Sequence, residues 1–183
     1  MEALDALLNR VSVPRLVEPA PSAEQRDVMY RVALRAPDHG QLRPWRFLSI
    51  EGESLNRLGE LYAQAVGLDQ NASSESIEKA RLMPLRAPLI VVVIACPKEH
   101  PKVPEVEQLM AASCAAHGML LAAHAQGVGA VWRTGAMAYD AHVAAGLGLS
   151  GAEQIVGYLY LGMPERELRK AQPLDPADFV SNW

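Results

Sequence analysis

Cysteine is scarce in this chain. Cys96 and Cys114 are the only two among 183 residues, in no CxxC pair and at no zinc-ligand spacing. That excludes a disulfide-stapled fold and gives no support to a structural zinc or a dithiol redox pair. Positive charge is short as well. The 17 Lys and Arg stand against 21 Asp and Glu, a formal net charge of −4 with a pI near 5.7. This balance excludes a sequence-blind nucleic-acid binder and a polybasic membrane anchor, so any site for an anion must concentrate cations locally. A basic leader is missing too: MEALDALLNR carries acidic residues where a secretory signal is basic. Repeats, low-complexity segments, GxSxG, HExxH, P-loop and kinase signatures are all absent. Hydrolase chemistry has no support.

What is present is a globular composition, with half the residues hydrophobic and 21% charged. The length fits one domain, residues 1–183, large enough to bury a core without staples. The stretch from Leu109 to Trp132 has no formal charge and is long enough to span a bilayer, but it is rich in Ala and Gly and holds Ser113, His117, His124 and Gln126. A buried helix running into a strand explains it better. The expected setting is the cytoplasm, with no membrane and no nucleic-acid partner.

The pattern predicts alternating helices and four strands. Leu4, Leu7 and Leu8 share a face of a first helix over residues 2–9. Ser22 to Gln25 is a capping box, followed by Val28, Met29, Val32 and Ala36 as a buried stripe. Strands are expected at 45–51, 89–95, 128–132 and 155–161; the unbroken run Leu89-Ile-Val-Val-Val-Ile-Ala95 implies burial on both faces. Helices are expected around Leu55–Ala65, after a surface loop at Asn71–Ser76 to about Met83, and over 138–147. A long Ala-rich helix from Glu105 to Gln126, capped by Gly127, reads as buried on every side, with small residues that let a second helix approach. The proline-bearing tail after Met163 reads as an arm lying on something else.

Several segments carry candidate chemistry. Arg10-Val11-Ser12 ends the first helix, and its guanidinium and hydroxyl can both donate to one phosphate. Trp132-Arg133-Thr134-Gly135 leaves the end of a strand, where ligands of sheet proteins commonly sit. Arg35 to Trp45 gathers donors, acceptors and an indole in one loop. Gly127-Val128-Gly129 precedes a strand and is no dinucleotide fingerprint. His117 and His124 lie seven residues apart, not at the spacing of a zinc helix, and no metal site is expected.

Taken in order, a first-helix Arg-x-Ser, Arg35-Ala-Pro-Asp-His39 before Pro44-Trp45, Arg86-Ala-Pro-Leu-Ile90, Ala125-Gln-Gly-x-Gly-x-x-Trp132 with Arg133-Thr-Gly135, and a late Gly162-x-Pro164 resemble the FMN-dependent nitroreductase family. The likeness runs the length of the chain and is strongest to the family's minimal members, the short NAD(P)H nitroreductases of the YdjA type. It implies an α+β fold, a central mainly antiparallel sheet flanked by helices, in an intertwined homodimer with FMN at the interface. It implies an oxidoreductase that takes electrons from NAD(P)H and reduces electron-poor small-molecule acceptors, such as nitroaromatics or quinones, by a ping-pong cycle. The alternative is a flavin-binding carrier or sensor with little reductase activity.

By the same resemblance Arg10, Val11 and Ser12 approach the FMN phosphate and ribityl end, joined by Arg133 with Trp132 and Thr134. Arg35 and His39 come from the other chain, and Gln41 occupies the position of a common family Asn. Ala122, Ala123, His124, Ala125, Gln126 and Gly127 match a nicotinamide-dinucleotide contact segment. No side chain is implied as catalytic acid or base. The chain departs from the family at three points: Val11 stands where many members have Arg, Pro14 where larger relatives have a cation beside the flavin, and Arg43 where Gln is usual before Pro-Trp.

Overall fold

Capping chemistry decides where the helices begin. In the computed structural model, which describes all 183 residues, α1 (Ala3–Asn9) is followed by a non-helical stretch through Arg15 and a two-residue strand, β1 (Leu16–Val17). α2 (Ala23–Ala33) starts at the predicted capping box: Ser22 Oγ accepts the Gln25 N–H at 3.2 Å, and Gln25 Oε1 accepts the Ser22 N–H at 2.9 Å. After a polar loop come β2 (Trp45–Glu51), α3 (Glu53–Gly67) and α4 (Ser74–Arg81), the last capped by the Ser73 hydroxyl. β3 (Leu89–Ala95) leads to α5 (Glu105–Ala125), which ends as Gly127 turns left-handed at φ 74°. β4 (Gly129–Arg133), α6 (Ala141–Gly146) with Asp140 as its cap, and β5 (Gln154–Pro164) complete the elements.

Every strand pair is antiparallel. β5 is the hub: it pairs with β3 from Gln154 to Leu161, with β4 from Tyr158 to Gly162, and with β1 at Met163 and Pro164; β2 pairs with the free side of β3. The alternation along β3 explains its unbroken apolar run. Leu89, Val91 and Val93 pack with Met119, Ala115, Ala116 and Met29 on the α5 side. Ile90, Val92 and Ile94 pack with Leu58, Tyr62, Tyr158 and Tyr160 on the α3 side. A strand covered on both faces needs no polar residue, and all seven are buried.

Four expectations change. A fifth strand exists, β1, too short for alternation to reveal it. Of the α2 stripe only Met29 is buried, with Ala33 outside the stripe buried beside it; Val28 and Val32 are 43% and 38% exposed, and Ala36 lies past the helix end. α5 is not buried all round: Val106, Met110, Cys114 and His117 share an outward face, because the sheet and α2 cover only the small-residue side. The segment at 136–138 is a single 3-10 turn, so the helix there starts only at Ala141. Leu4, Leu7 and Leu8 keep one face of α1, exposed in the single chain. The tail beyond Glu165 is exposed and carries one 3-10 turn, at Pro176–Asp178.

Candidate functional site

The end of β4 and the stretch after α1 are held together by backbone. The Val13 N–H donates to the Ala130 carbonyl at 2.9 Å, which lays residues 10–15 beside β4. Arg133, the last residue of β4, donates from its guanidinium to the Pro14 carbonyl at 3.2 Å and stands 5.4 Å from the Tyr160 ring centroid. Its Nε is buried with no partner. A buried guanidinium N–H without an acceptor is costly unless something supplies one, so this group marks a place for an anionic or carbonyl oxygen. Burial raises the Tyr160 hydroxyl pKa, while Arg133 and Arg86 oppose that rise, so both cations act on the same spot. Trp132 beside them is anchored by its indole N–H on the Val156 carbonyl, and it fits only because residue 157 is glycine: a Cβ there would overlap the indole.

Three cavities with shared walls run past these residues. The first, about 210 Å³, lies between Val11–Arg15 and Arg166–Arg169 of the tail. The second, about 440 Å³, is bounded by Pro14, Arg15, Arg86, Arg133 and Glu165. The third, about 390 Å³, extends between Arg86, Arg133, Trp132, Thr134 and the tyrosines 62, 158 and 160. Arg15 borders the first two, and Arg86 and Arg133 border the last two, making one cleft with cations along it. At its floor the Tyr62 hydroxyl is buried without a partner, and burial drives its pKa far upward. Tyr158 donates to the Met137 carbonyl at 2.9 Å and its pKa is pushed up to about 12, chiefly by burial. Both phenols are therefore neutral donors at any physiological pH.

A second cationic region lies in the loop after α2. Arg35, Asp38, Gln41, Arg43 and Trp45 line a cavity of about 310 Å³. Gln41 and Arg43 both adopt left-handed backbone, at φ 53° and 50°, a conformation that costs roughly 1–3 kcal/mol per non-glycine residue and tends to occur at functional sites. The Asp38 carboxylate accepts the Arg43 N–H at 2.7 Å, and Lys98 Nζ donates to the Leu42 carbonyl at 2.6 Å. His39 Nδ1 lies 2.6 Å from Glu107 Oε2 in the first turn of α5. Within one chain this loop and the β4 cleft are lined by different residues.

Counting partners separates the arginines. Arg26, Arg31, Arg46 and Arg81 are held by Glu51, Asp27, Glu153 and Glu60. The guanidinium groups of Arg10, Arg35, Arg43, Arg86 and Arg169 have no hydrogen bond or ion pair, and all but Arg10 line one of the cavities just described. Arg10 instead neighbours His124, whose Nε2 is buried and unpartnered and whose pKa falls through burial first and the Arg10 charge second. His124 is therefore neutral at pH 7.

The sequence profile described as "Nitroreductase family" matches residues 7–163. The Escherichia coli protein named "Putative NAD(P)H nitroreductase YdjA" is 42% identical over 182 residues, covering 99% of each chain. The chain belongs to the nitroreductase family. Among solved structures, a nitroreductase-like family protein from Bacillus cereus superposes with a TM-score of 0.84 at 22% identity, over 100% of this chain and 96% of its own. A variant of the FMN and NADPH-dependent nitroreductase NfnB from Sphigopyxis sp. strain HMH superposes at 0.77 with 16% identity, over 100% and 99%. At these identities the likeness is one of fold, and it agrees with the expected α+β architecture.

For this nitroreductase-family chain, the predicted site residues fall into three groups. Val11, Ser12, Trp132, Arg133 and Thr134 line the β4 cleft, whereas Arg10, the C-cap of α1, lines none of its cavities. Arg35, His39 and Gln41 gather in the loop after α2, apart from that cleft. Ala122 to Gly127 end α5: Ala122 and Ala123 are buried, and the Gln126 amide donates to the Gln25 and Ala122 carbonyls. That leaves His124, Ala125 and Gly127 with accessible surface. Sequence reasoning missed Arg86, Arg166, Arg169 and the tyrosine floor. Arg86 had a signal, its place in the Arg-Ala-Pro-Leu-Ile motif. The tail arginines had none, because only the fold brings residues 166–169 against residues 11–15. Arg15, beside the unusual Pro14, lies 3.5 Å from Glu165 and so is partly neutralised.

Proposed function

We propose that the chain is a single FMN-binding domain, residues 1–183, working as a homodimeric oxidoreductase that moves electrons from NAD(P)H to electron-poor small molecules. The single observation that carries this reading is the β4 cleft, with its unpartnered Arg133 Nε and unpaired guanidinium groups in a chain of net charge −4. The donor set fits FMN. Val11 and Ser12, faced by Arg166 and Arg169 from the tail, would hold the phosphate with Arg10 at the adjoining end of α1; each charge-assisted bond contributes about 1.5–3 kcal/mol. Arg133, with Trp132 and Thr134 beside it, would join them at the phosphate and ribityl end, and Arg86 and Arg133 supply positive potential along the cleft. FMN supplies the redox chemistry when bound, accepting electrons from NAD(P)H and passing them to an acceptor in a ping-pong cycle.

The protein's own work is to bind, orient and shield. The neutral phenols of Tyr62 and Tyr158 close the floor of the cleft against water. No side chain acts as acid or base. Arg35, His39 and Gln41 of a second copy complete the open side, since one chain keeps them apart from the cleft. The exposed faces of α1, α2 and α5, with Leu4, Leu7, Leu8, Val28, Val32, Val106 and Met110, supply the apolar area such a dimer buries. His124, Ala125 and Gly127 are the accessible part of the segment assigned to the dinucleotide. The free thiols Cys96 and Cys114 suit the reducing cytoplasm, and no helix is long and apolar enough to cross a membrane.

The visible spectrum of freshly purified protein tests this directly. Yellow protein that releases FMN on denaturation, and that bleaches with NADH or NADPH under anaerobic conditions, is the expected result. A colourless preparation that ignores added FMN sinks the reading; yellow protein that resists bleaching leaves the carrier or sensor in its place.

A further inference from the structure

The first turns of α5 grip the loop that carries His39, and the flavin reading gives that grip no task. Gln108 is a buried amide, 2% exposed. Its Oε1 accepts the Lys98 N–H at 2.8 Å, and its Nε2 donates to the carbonyls of Lys98 at 2.8 Å and Val103 at 3.4 Å. These bonds tie the segment 98–103 to α5. Two contacts pass the constraint on. Lys98 Nζ donates to the Leu42 carbonyl at 2.6 Å, and Val103 lies so close to Gly40 that a Cβ there would stand 3.4 Å from its Cγ2. The backbone that follows His39 is therefore anchored through α5.

The imidazole has an anchor of its own. Glu107, in the first turn of α5, places Oε2 2.6 Å from His39 Nδ1. An ionised carboxylate only accepts, so the proton lies on Nδ1. In the neutral ring that leaves Nε2 as a lone-pair acceptor, and Nε2 has no partner within the chain. Asp38, the other carboxylate of the loop, accepts the Arg43 N–H and makes no bond to the ring. A glutamate in the first turn of a helix also complements the helix dipole, but that task needs no histidine.

We propose that Glu107 is a positioning residue for the cofactor bound across the interface: it holds His39 as the Nδ1–H tautomer and presents Nε2 to the second copy as a hydrogen-bond acceptor. An acceptor fixed in this way suits a hydroxyl or ring N–H of FMN and not its phosphate. The cofactor half of this inference rests on the function proposed above; the tautomer does not.

Two measurements test it. In alkaline buffer, where an imidazole is neutral, nitrogen NMR of the isotopically labelled protein is expected to show His39 protonated on Nδ1. Glu107→Ala should move that proton largely to Nε2, and Glu107→Gln, whose amide oxygen still accepts, should keep it on Nδ1. FMN titration supplies the second readout. His39→Ala and Glu107→Ala are each expected to weaken FMN binding about three- to tenfold. The double variant should bind no more weakly than His39→Ala, and Glu107→Gln should recover most of the loss. Losses that add, an unchanged affinity in Glu107→Ala, or a His39 protonated on Nε2 in the unaltered protein each overturns the proposal. A protein that takes up no FMN refutes the flavin reading and the role toward the cofactor with it; FMN binding beside an Nε2-protonated His39 refutes the positioning role alone.

Discussion

The two cationic regions of this protein are built in opposite ways. The β4 cleft draws on residues scattered across the sequence, 11–15, 86, 132–135 and 166–169, and its rigidity comes from the sheet: Val13 on Ala130, Arg133 on Pro14, Trp132 on Val156. The loop after α2 draws on eleven consecutive positions, 35–45, and its rigidity comes from local bonds and left-handed backbone. The cleft holds an orphaned donor, Arg133 Nε; the loop holds the unpaired guanidinium groups of Arg35 and Arg43. On the function proposed above, each is half of a site that two copies complete.

The sharpest way to break the comparison is to remove Arg133. Arg133→Ala deletes the orphaned Nε and the bond to Pro14, and should weaken FMN binding about 10–100-fold, read from flavin-to-protein ratio or by titration. Arg35→Ala should also lower FMN content, but co-expressing the two variants should restore part of it, because a mixed dimer carries one unaltered site. Failure of complementation would mean that the halves do not meet across an interface.

A smaller effect isolates the sheet from the charge. Gly157→Ala drives a methyl into the Trp132 indole and should cost about 1–3 kcal/mol of stability, seen as a lower melting temperature. FMN affinity should fall with it. The smallest effect lies outside both regions. Arg46 grips Glu153 with two hydrogen bonds at 2.7 and 2.9 Å, and these hold the Glu153 pKa down to about 2. A depressed carboxylate stabilises the fold above its unfolded value, 4.5, and that contribution is lost as pH falls toward 2. Glu153→Gln should therefore be less stable at neutral pH and show a flatter stability profile between those values, measured by denaturant melts across pH. FMN affinity should be unchanged.

Much of the fold was legible because its causes are local. The capping box at Ser22, the left-handed Gly127 and the apolar run of β3 each read correctly from a few neighbouring residues. Burial read less well. Val28, Val32 and the outer face of α5 are apolar but exposed in one chain, because hydrophobicity states that a face must be covered and not by what. The site divided along the same line. Arg10, Ser12 and Arg133 were visible as motifs, whereas Arg166, Arg169 and the Tyr62 floor belong to no motif and enter only through contacts between distant segments.

Sequence alone determined most of the elements, the two-faced central strand, the family and the local loop that carries Arg35 and Arg43, since short-range hydrogen bonding and side-chain periodicity depend on residues a few positions apart. Tertiary structure decided which cations converge. Pairing across more than a hundred residues, Val13 with Ala130 and Pro14 with Arg133, turns scattered charges into one cleft, and no local term in the chain encodes that meeting.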